Sequence, residues 1–197
     1  MIEQEFRRMD EAVRACERCE LHRKRTQAVF GVGNPFSELM VIGEGPGEEE
    51  DRQGLPFVGK SGQLLDKILA AGGFSRDENV YIANIVKCRP PDNREPSPEE
   101  RSACFPYLEE QIRMIRPSII ILLGSTALKG LLDPEGKITR VRGKWQMWND
   151  IWVMPTYHPS ALLRNPELKK DSWEDIKEVV RKYRELVDPK HMAEQIK

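Results

Sequence analysis

The sequence predicts a three-layer α/β/α domain built on a four-stranded parallel sheet. Four apolar runs, at residues 39–43, 80–86, 118–124 and 151–156, read as buried strands. Segments with helical apolar spacing separate them. Strands that alternate with helices pair in parallel and carry helices on both faces. The length of 197 residues suits one substantial core, so residues 1–187 are expected to form a single domain and 188–197 a frayed tail.

Taken in order, the elements each have a local reason. Ile2, Phe6, Met9 and Val13 lie on one stripe of an N-terminal helix, which turns Cys16 inward at its end. The first strand ends in a Gly/Pro turn, residues 43–51, that carries Glu44, Glu48, Glu49, Glu50 and Asp51; a strand ending in a tight turn is where open α/β sheets place ligands. Ser61 is expected to cap a helix with inward Leu64, Leu65, Ile68 and Leu69, closed by Gly72-Gly73. Ser97-x-x-Glu100 is a capping box with Pro98 at the first helical position. The helix after it carries Cys104, Tyr107, Leu108, Gln111, Ile112 and Ile115 on one stripe, and Pro106 should kink or interrupt it near Cys104. Residues 141–153 read as a hairpin turning at Asn149-Asp150. A last helix is expected to begin at Asp171-x-x-Glu174 and to turn Trp173, Ile176, Val180, Tyr183 and Val187 inward.

Composition excludes several classes. No apolar run approaches the ~20 residues that span a bilayer, and the N-terminus has no signal-peptide pattern. A cytoplasmic protein without a membrane partner is expected. Net charge is −1, so nothing global advertises nucleic acid. Charge is uneven, however. Arg7, Arg8, Arg14, Arg18, Arg23, Lys24 and Arg25 cluster near the N-terminus, and KITRVRGK (137–144) adds four more cations. Each run is a candidate phosphate-binding face or an ordinary solvated surface.

Residues 54–61, GLPFVGKS, satisfy the phosphate-loop pattern letter for letter. The context argues against nucleotide hydrolysis. That motif needs a strand leading into its first glycine, so that backbone N–H groups wrap the phosphates. Here Glu-Glu-Asp-Arg-Gln precedes Gly54, Pro56 has no N–H to give, and Phe57 is bulky. No apolar strand ends in a magnesium-binding Asp; the run 119–123 leads into Gly124. A turn followed by a helix start explains Gly59-Lys60-Ser61 equally well.

Cys16, Cys19, Cys88 and Cys104 are the four cysteines, spaced C-x2-C-x68-C-x15-C. Disulfides are not expected in the cytoplasm. A thioredoxin-type role for C-x-x-C is weak because no strand precedes it. Four thiolates suit a [4Fe–4S] cluster or a structural zinc alike. His22 completes a C-x2-C-x2-H spacing for zinc, but four cysteines make it redundant.

Several motifs together resemble the family 4 uracil-DNA glycosylases, the iron–sulfur branch of the uracil-DNA glycosylase superfamily. They are GEGPGEEED (43–51), GLPFVGKSGQLL (54–65), NIVKCRPPDNREP (84–96), ITRVRGKW (138–145) and HPSALLRNP (158–166), with all four cysteines at the family's spacing. The resemblance covers most of the chain and makes 1–187 one such domain. It implies a structural [4Fe–4S] cluster on Cys16, Cys19, Cys88 and Cys104. It also implies a monomer that repairs uracil-containing DNA, single- or double-stranded, by cutting the N-glycosidic bond with water and leaving an abasic site.

The resemblance further implies roles that residue chemistry supports. A base inside a duplex must be flipped into a pocket to be reached. Phe57 would stack on the base. Asn84 would accept from uracil N3–H and donate to O4, a pattern that cytosine reverses. Glu50 would fill the space of a thymine methyl. His158 would donate to O2 as charge builds on the leaving base; a lone loop histidine is otherwise a surface residue. Leu162 or Leu163 would wedge into the duplex, and Ser160, Arg164 and Lys144 would contact DNA. In the best-known branch of the superfamily, an Asp at the third position of the first motif orients the water. Gly45 stands there in this chain, so Glu44 or backbone carbonyls must do so. A second reading is an iron–sulfur nucleic-acid-binding relative with lost or covalent activity. The covalent branch carries an inserted histidine, and this chain has none between His22 and His158.

Overall fold

Residues 2–196 are described by a computed structural model. Helix α1 (Ile2–Arg14) leads through a 3-10 turn (Glu20–Arg23) to a short strand β1 (Val32–Gly33). Next come β2 (Leu39–Gly43), α2 (Glu48–Gln53), α3 (Lys60–Ala71) and β3 (Val80–Asn84). A 3-10 turn (Pro91–Asn93) precedes α4 (Pro98–Ile115), β4 (Ile119–Leu123), α5 (Gly124–Leu131) and α6 (Ile138–Val141). The hairpin β5 (Gln146–Trp148) and β6 (Ile151–Thr156) follows. Helix α7 (Pro159–Arg164), a 3-10 turn (Pro166–Leu168) and α8 (Lys169–Leu186) end the domain.

The sheet runs β1-β3-β2-β4-β6-β5. Its four central strands are parallel and are the four expected from the sequence. The sheet has six strands, not four, because antiparallel β1 and β5 close its edges. Strand β1 is two residues long, too short to show any apolar alternation. Strand β5 is the first arm of the expected hairpin, and Asn149 and Asp150 at its tip both adopt positive φ, as a tight two-residue turn demands.

Buried strands alternate sides, and the core divides accordingly. Met40, Ile42, Tyr81, Ala83, Ile120 and Leu122 face α1, α4 and α5. Leu39, Val41, Val80, Ile82, Ile119 and Ile121 face α3 and α8. Registers pair Gly43 with Asn84 and Leu123 with Thr156, so all four parallel strands end on one edge of the sheet.

Four local expectations change. Helix α3 starts at Lys60 with Gly59 at its cap position, so Ser61 lies inside the first turn and does not cap it. Helix α4 runs unbroken through Pro106, while the Ser97–Glu100 box forms at its start as expected. Helix α8 begins at Lys169, two residues before Asp171, because the turn capped by Asn165 feeds straight into it. Residues 188–196 do not fray. His191 stacks on Phe74 with ring centroids 4.5 Å apart and its Nε2 donates to Gly72 O at 2.8 Å. Ala193 and Ile196 are buried, and Arg184 donates to the carbonyls of His191 and Ile196. The segment thereby buries apolar surface that the polar sequence around it conceals. Among the described residues, no helix is long and apolar enough to cross a membrane.

Candidate active site and cysteine cavity

A cavity of about 650 Å³ opens at the edge where the parallel strands end. That size is usual for a small-molecule site. Phe57, Asn84, His158 and Glu44 all line it. Gly43 permits this convergence, because a Cβ there would lie 2.5 Å from the Phe57 ring and 2.6 Å from Asn84 Oδ1. Phe57 itself is buried and held at φ 52°, which turns its ring inward across from His158, centroids 5.6 Å apart. Asn84 is 2% exposed, and its Oδ1 has no hydrogen-bond partner within the protein. A buried amide oxygen without a donor is costly. It marks a place for a ligand N–H.

His158 caps α7. Its Nδ1 accepts from Ser160 N–H at 3.0 Å and lies 2.8 Å from Ser160 Oγ. That bond leaves Nδ1 unprotonated and puts the ring proton on Nε2. Burial, with Arg164 adding to it, brings the imidazole down to about 4, against the smaller opposing pull of Glu50. At neutral pH the ring is therefore an uncharged Nε2–H donor. Gly124, at φ +87°, is required beside it, since a Cβ would stand 2.9 Å from His158 Cβ.

The acidic turn after β2 divides its carboxylates between tasks. Glu50 Oε1 accepts from the N–H groups of Val58 and Gly59, both at 3.0 Å, and so shapes the turn that presents Phe57. Asp51 Oδ1 accepts from Thr26 N–H at 2.8 Å, a buried structural contact. Glu44 faces the cavity, and Thr126 Oγ1 donates to its Oε2. Burial holds the Glu44 carboxyl above its ordinary range, with the Thr126 hydroxyl pulling the other way.

All four cysteines line a second, separate cavity, together with His22, Arg25, Lys87 and Tyr107. Burial pushes the Cys104 thiol up to about 11, opposed by the Lys87 ammonium and N–H. Cys88 and Cys19 are also raised, burial first. Donors nonetheless converge on the sulfurs. Arg25 Nη1 lies 3.2 Å from Cys88 Sγ, Lys87 N–H 3.3 Å from Cys104 Sγ and Arg18 N–H 3.5 Å from Cys16 Sγ. Such N–H···S contacts favour thiolates, the form that binds metal. Among the described residues, no group of three or more His, Cys, Asp or Glu side chains is arranged to hold a metal ion. A cluster, which gives each cysteine its own iron, spreads its ligands wider than one tetrahedral zinc.

The structure thus brings Glu44, Gly45, Glu50, Phe57, Asn84, His158, Ser160 and Arg164 to one cavity. It does not bring Lys144, Leu162 or Leu163 there. Lys144 is exposed in the turn before β5. Leu162 is 1% exposed and packs under α7, so it cannot enter a duplex, whereas neighbouring Leu163 is 45% exposed. The basic run 137–144 is partly internal, because Arg142 pairs with buried Asp175, which also accepts from Thr156 at 2.7 Å. Sequence reasoning missed Thr126, Tyr157 and Asn93 on the cavity wall. Their place directly after a strand end, or in the proline-rich loop after β3, was the available signal.

Four parallel strands flanked by helices on both faces, with a cavity of about 650 Å³ at their ends that holds an unpartnered amide and a neutral imidazole, define an α/β protein with a small-molecule-sized site. The model of the Uracil DNA glycosylase superfamily matches residues 30–178, and the chain belongs to that superfamily. It is 49% identical to a Type-4 uracil-DNA glycosylase of Thermotoga maritima over 172 residues, 85% of this chain and 89% of that protein. It is 46% identical to the Type-4 uracil-DNA glycosylase of Sulfurisphaera tokodaii over 181 residues, covering 87% and 82% of the two chains. Identity to the Saccharolobus solfataricus Type-4 uracil-DNA glycosylase is 48% over 176 residues, 85% and 81% of the chains.

Proposed function

We propose that this chain is a DNA-repair uracil-DNA glycosylase that hydrolyses the bond between uracil and deoxyribose. The observation that carries the reading is the pairing of an unpartnered Asn84 Oδ1 with a neutral His158 in one cavity. Uracil presents N3–H to the Asn84 oxygen and O4 to the Asn84 NH₂, while Phe57 stacks on its face. Glu50, on the cavity wall, would occupy the space of a 5-methyl group. As C1′–N1 breaks, the bonding pair leaves with the base, and His158 Nε2–H stabilises the charge on O2. Water adds to the cationic C1′, and the proton it loses passes through solvent to the departing uracil anion, so the products are uracil and an abasic site. A side chain at position 45 would collide with Val86, its Cβ 2.7 Å from Cγ2. Glu44 is then the carboxylate that holds the water. Ser160 acts by fixing the His158 tautomer, and Leu163 and Arg164 face the DNA.

Four thiols and their N–H donors on one cavity wall support a [4Fe–4S] cluster that Cys16, Cys19, Cys88 and Cys104 would hold. When bound, such a group supplies a covalent tie between the N-terminal segment, the end of β3 and α4. The protein acts as a monomer.

Incubation with a uracil-containing oligonucleotide, followed by alkali, tests the reading. Alkali-dependent breaks at uracil are expected. Intact uracil strands would overturn the proposal. Breaks formed before alkali would instead point to an amine nucleophile, with Lys60 on the cavity wall.

A further inference from the structure

Lys87 is 1% exposed, and its ammonium lies inside the domain with two acceptors. These are Asn84 O at 3.0 Å and Gln111 Oε1 at 2.6 Å. Burying a cation is expensive, and an apolar residue of similar volume generally stabilises a core as well or better. Stability alone therefore does not account for a lysine here.

The sheet explains what the ammonium does. Ile85 N–H bonds Gly43 O, so the alternation of the ladder turns the Asn84 N–H and C=O away from β2, toward the β1 side. Strand β1 begins only at Val32, paired with Ile82, so no ladder partner stands opposite Asn84. A side-chain network fills the gap. Gln111 Nε2 donates to Phe30 O at 3.0 Å and to Tyr81 OH at 3.1 Å, and its Oε1 receives the ammonium that also holds Asn84 O. Lys87 is fixed at its own base as well. Its carbonyl accepts from Val29 N–H at 2.7 Å and its N–H reaches Cys104 Sγ, on the wall of the cysteine cavity.

Asn84 needs such support, because no protein group bonds its side-chain oxygen. Its amide direction depends on its main chain and on packing against Phe57 and Gly43. We propose that Lys87 is a positioning residue for base recognition: its buried ammonium, anchored at the cysteine cavity, grips the Asn84 carbonyl and so aims the Asn84 amide at the base. This rests on the uracil-removal reading above.

The test is a double-mutant cycle on holoprotein with Lys87→Met, Asn84→Ala and the double variant. Single-turnover uracil release, melting temperature and visible absorbance per chain are measured together. Lys87→Met should slow release by about 10- to 100-fold, the scale of a displaced reacting partner, with the absorbance per chain retained. In the Asn84→Ala background it should cost no more than about 2-fold further, since residues that act through one another do not add. Losses that multiply would make Lys87 a general structural residue and overturn the proposal, as would an unchanged rate in Lys87→Met. Should that variant be insoluble, Lys87→Gln takes its place in the cycle. It leaves a donor for Gln111 but is one bond shorter toward Asn84 O, and the same two outcomes decide. A wild-type protein that releases no uracil fails earlier and overturns the function reading itself.

Discussion

Cys16, Cys19, Cys88 and Cys104 reach their cavity from three separate stretches of chain, whereas the strand-end cavity is assembled from the ends of four neighbouring strands and the turns after them. The first cavity is lined by cations and N–H donors turned toward sulfur. The second is lined by a neutral imidazole, a raised carboxyl and an unpartnered amide. The strand cavity is held open by a backbone ladder that needs nothing bound. The cysteine cavity brings buried thiols together at a cost that a bound group would offset. Damage to the one should therefore appear in the fold, and damage to the other in the chemistry. The segment from Asn84 to Cys88 belongs to both.

The largest effect is expected at the cysteines. Cys88→Ser or Cys104→Ser should remove most soluble protein, because the tie between the N-terminal segment and the sheet is lost. Anaerobically purified wild type should absorb broadly near ~400 nm and carry about four irons per chain. A colourless, soluble and fully active Cys88→Ser protein would break the comparison, and stoichiometric zinc without iron would replace the cluster.

His158→Ala should do the reverse. Soluble yield should hold, while single-turnover release falls by about 10²–10³-fold, the cost of one transition-state donor. Affinity for uracil-containing DNA should change far less, because the donor matters once charge has developed. An unchanged rate would return His158 to the status of a surface histidine.

How much of this the sequence disclosed follows the same division. The cysteines announced themselves by residue type, since four thiols have few uses in one small domain. The four parallel strands were legible because β2, β3 and β4 are buried throughout and β6 over its last four residues, so each reads as a mostly apolar run. Helix α4 was legible from its capping box, but Pro106 misled, because local rules weigh one lost hydrogen bond and not the burial of Leu108, Gln111 and Ile112 beyond it. The active cavity was legible only through whole motifs. Nothing in the residue type of Thr126 or Gly124 reveals that strand ends distant in sequence meet there. Leu162 and Leu163 could not be told apart, because a six-residue helix gives no apolar period to read.

A pH series sharpens the role of Glu44. Burial raises its carboxyl pKa above the usual 4.5, and in the proposed mechanism the ionised form holds the water. Release should therefore fall as pH drops through that raised value, at a pH above the ordinary carboxylate range. Glu44→Gln should lower the neutral-pH rate by about 10²-fold, at the low end for a catalytic carboxylate, and abolish this acid limb. Its effect on stability has the opposite sign. Between pH 4.5 and the raised value the folded state holds the extra proton, so stability falls as pH rises through that window. Above it, Glu44→Gln should melt no lower than wild type. An acid limb that persists in Glu44→Gln would assign it to another group.

The smallest effect distinguishes two adjacent leucines. Leu162 lies beneath α7 and Leu163 on its outer side, 1% and 45% exposed. Leu162→Ala should lower stability by about 2–5 kcal/mol, the range for an emptied core leucine, with release from single strands intact at low temperature. Leu163→Ala should leave the melting temperature alone. If Leu163 occupies the space that a flipped nucleotide vacates, its truncation loses part of the few kcal/mol that unstacking a step costs. Release from duplex should then fall by about 3- to 10-fold, because each ~1.4 kcal/mol is worth a factor of ten. Release from single strands, where no stack is broken, should not change. Equal losses on both substrates would make Leu163 an ordinary contact to the backbone and leave the wedge without a residue.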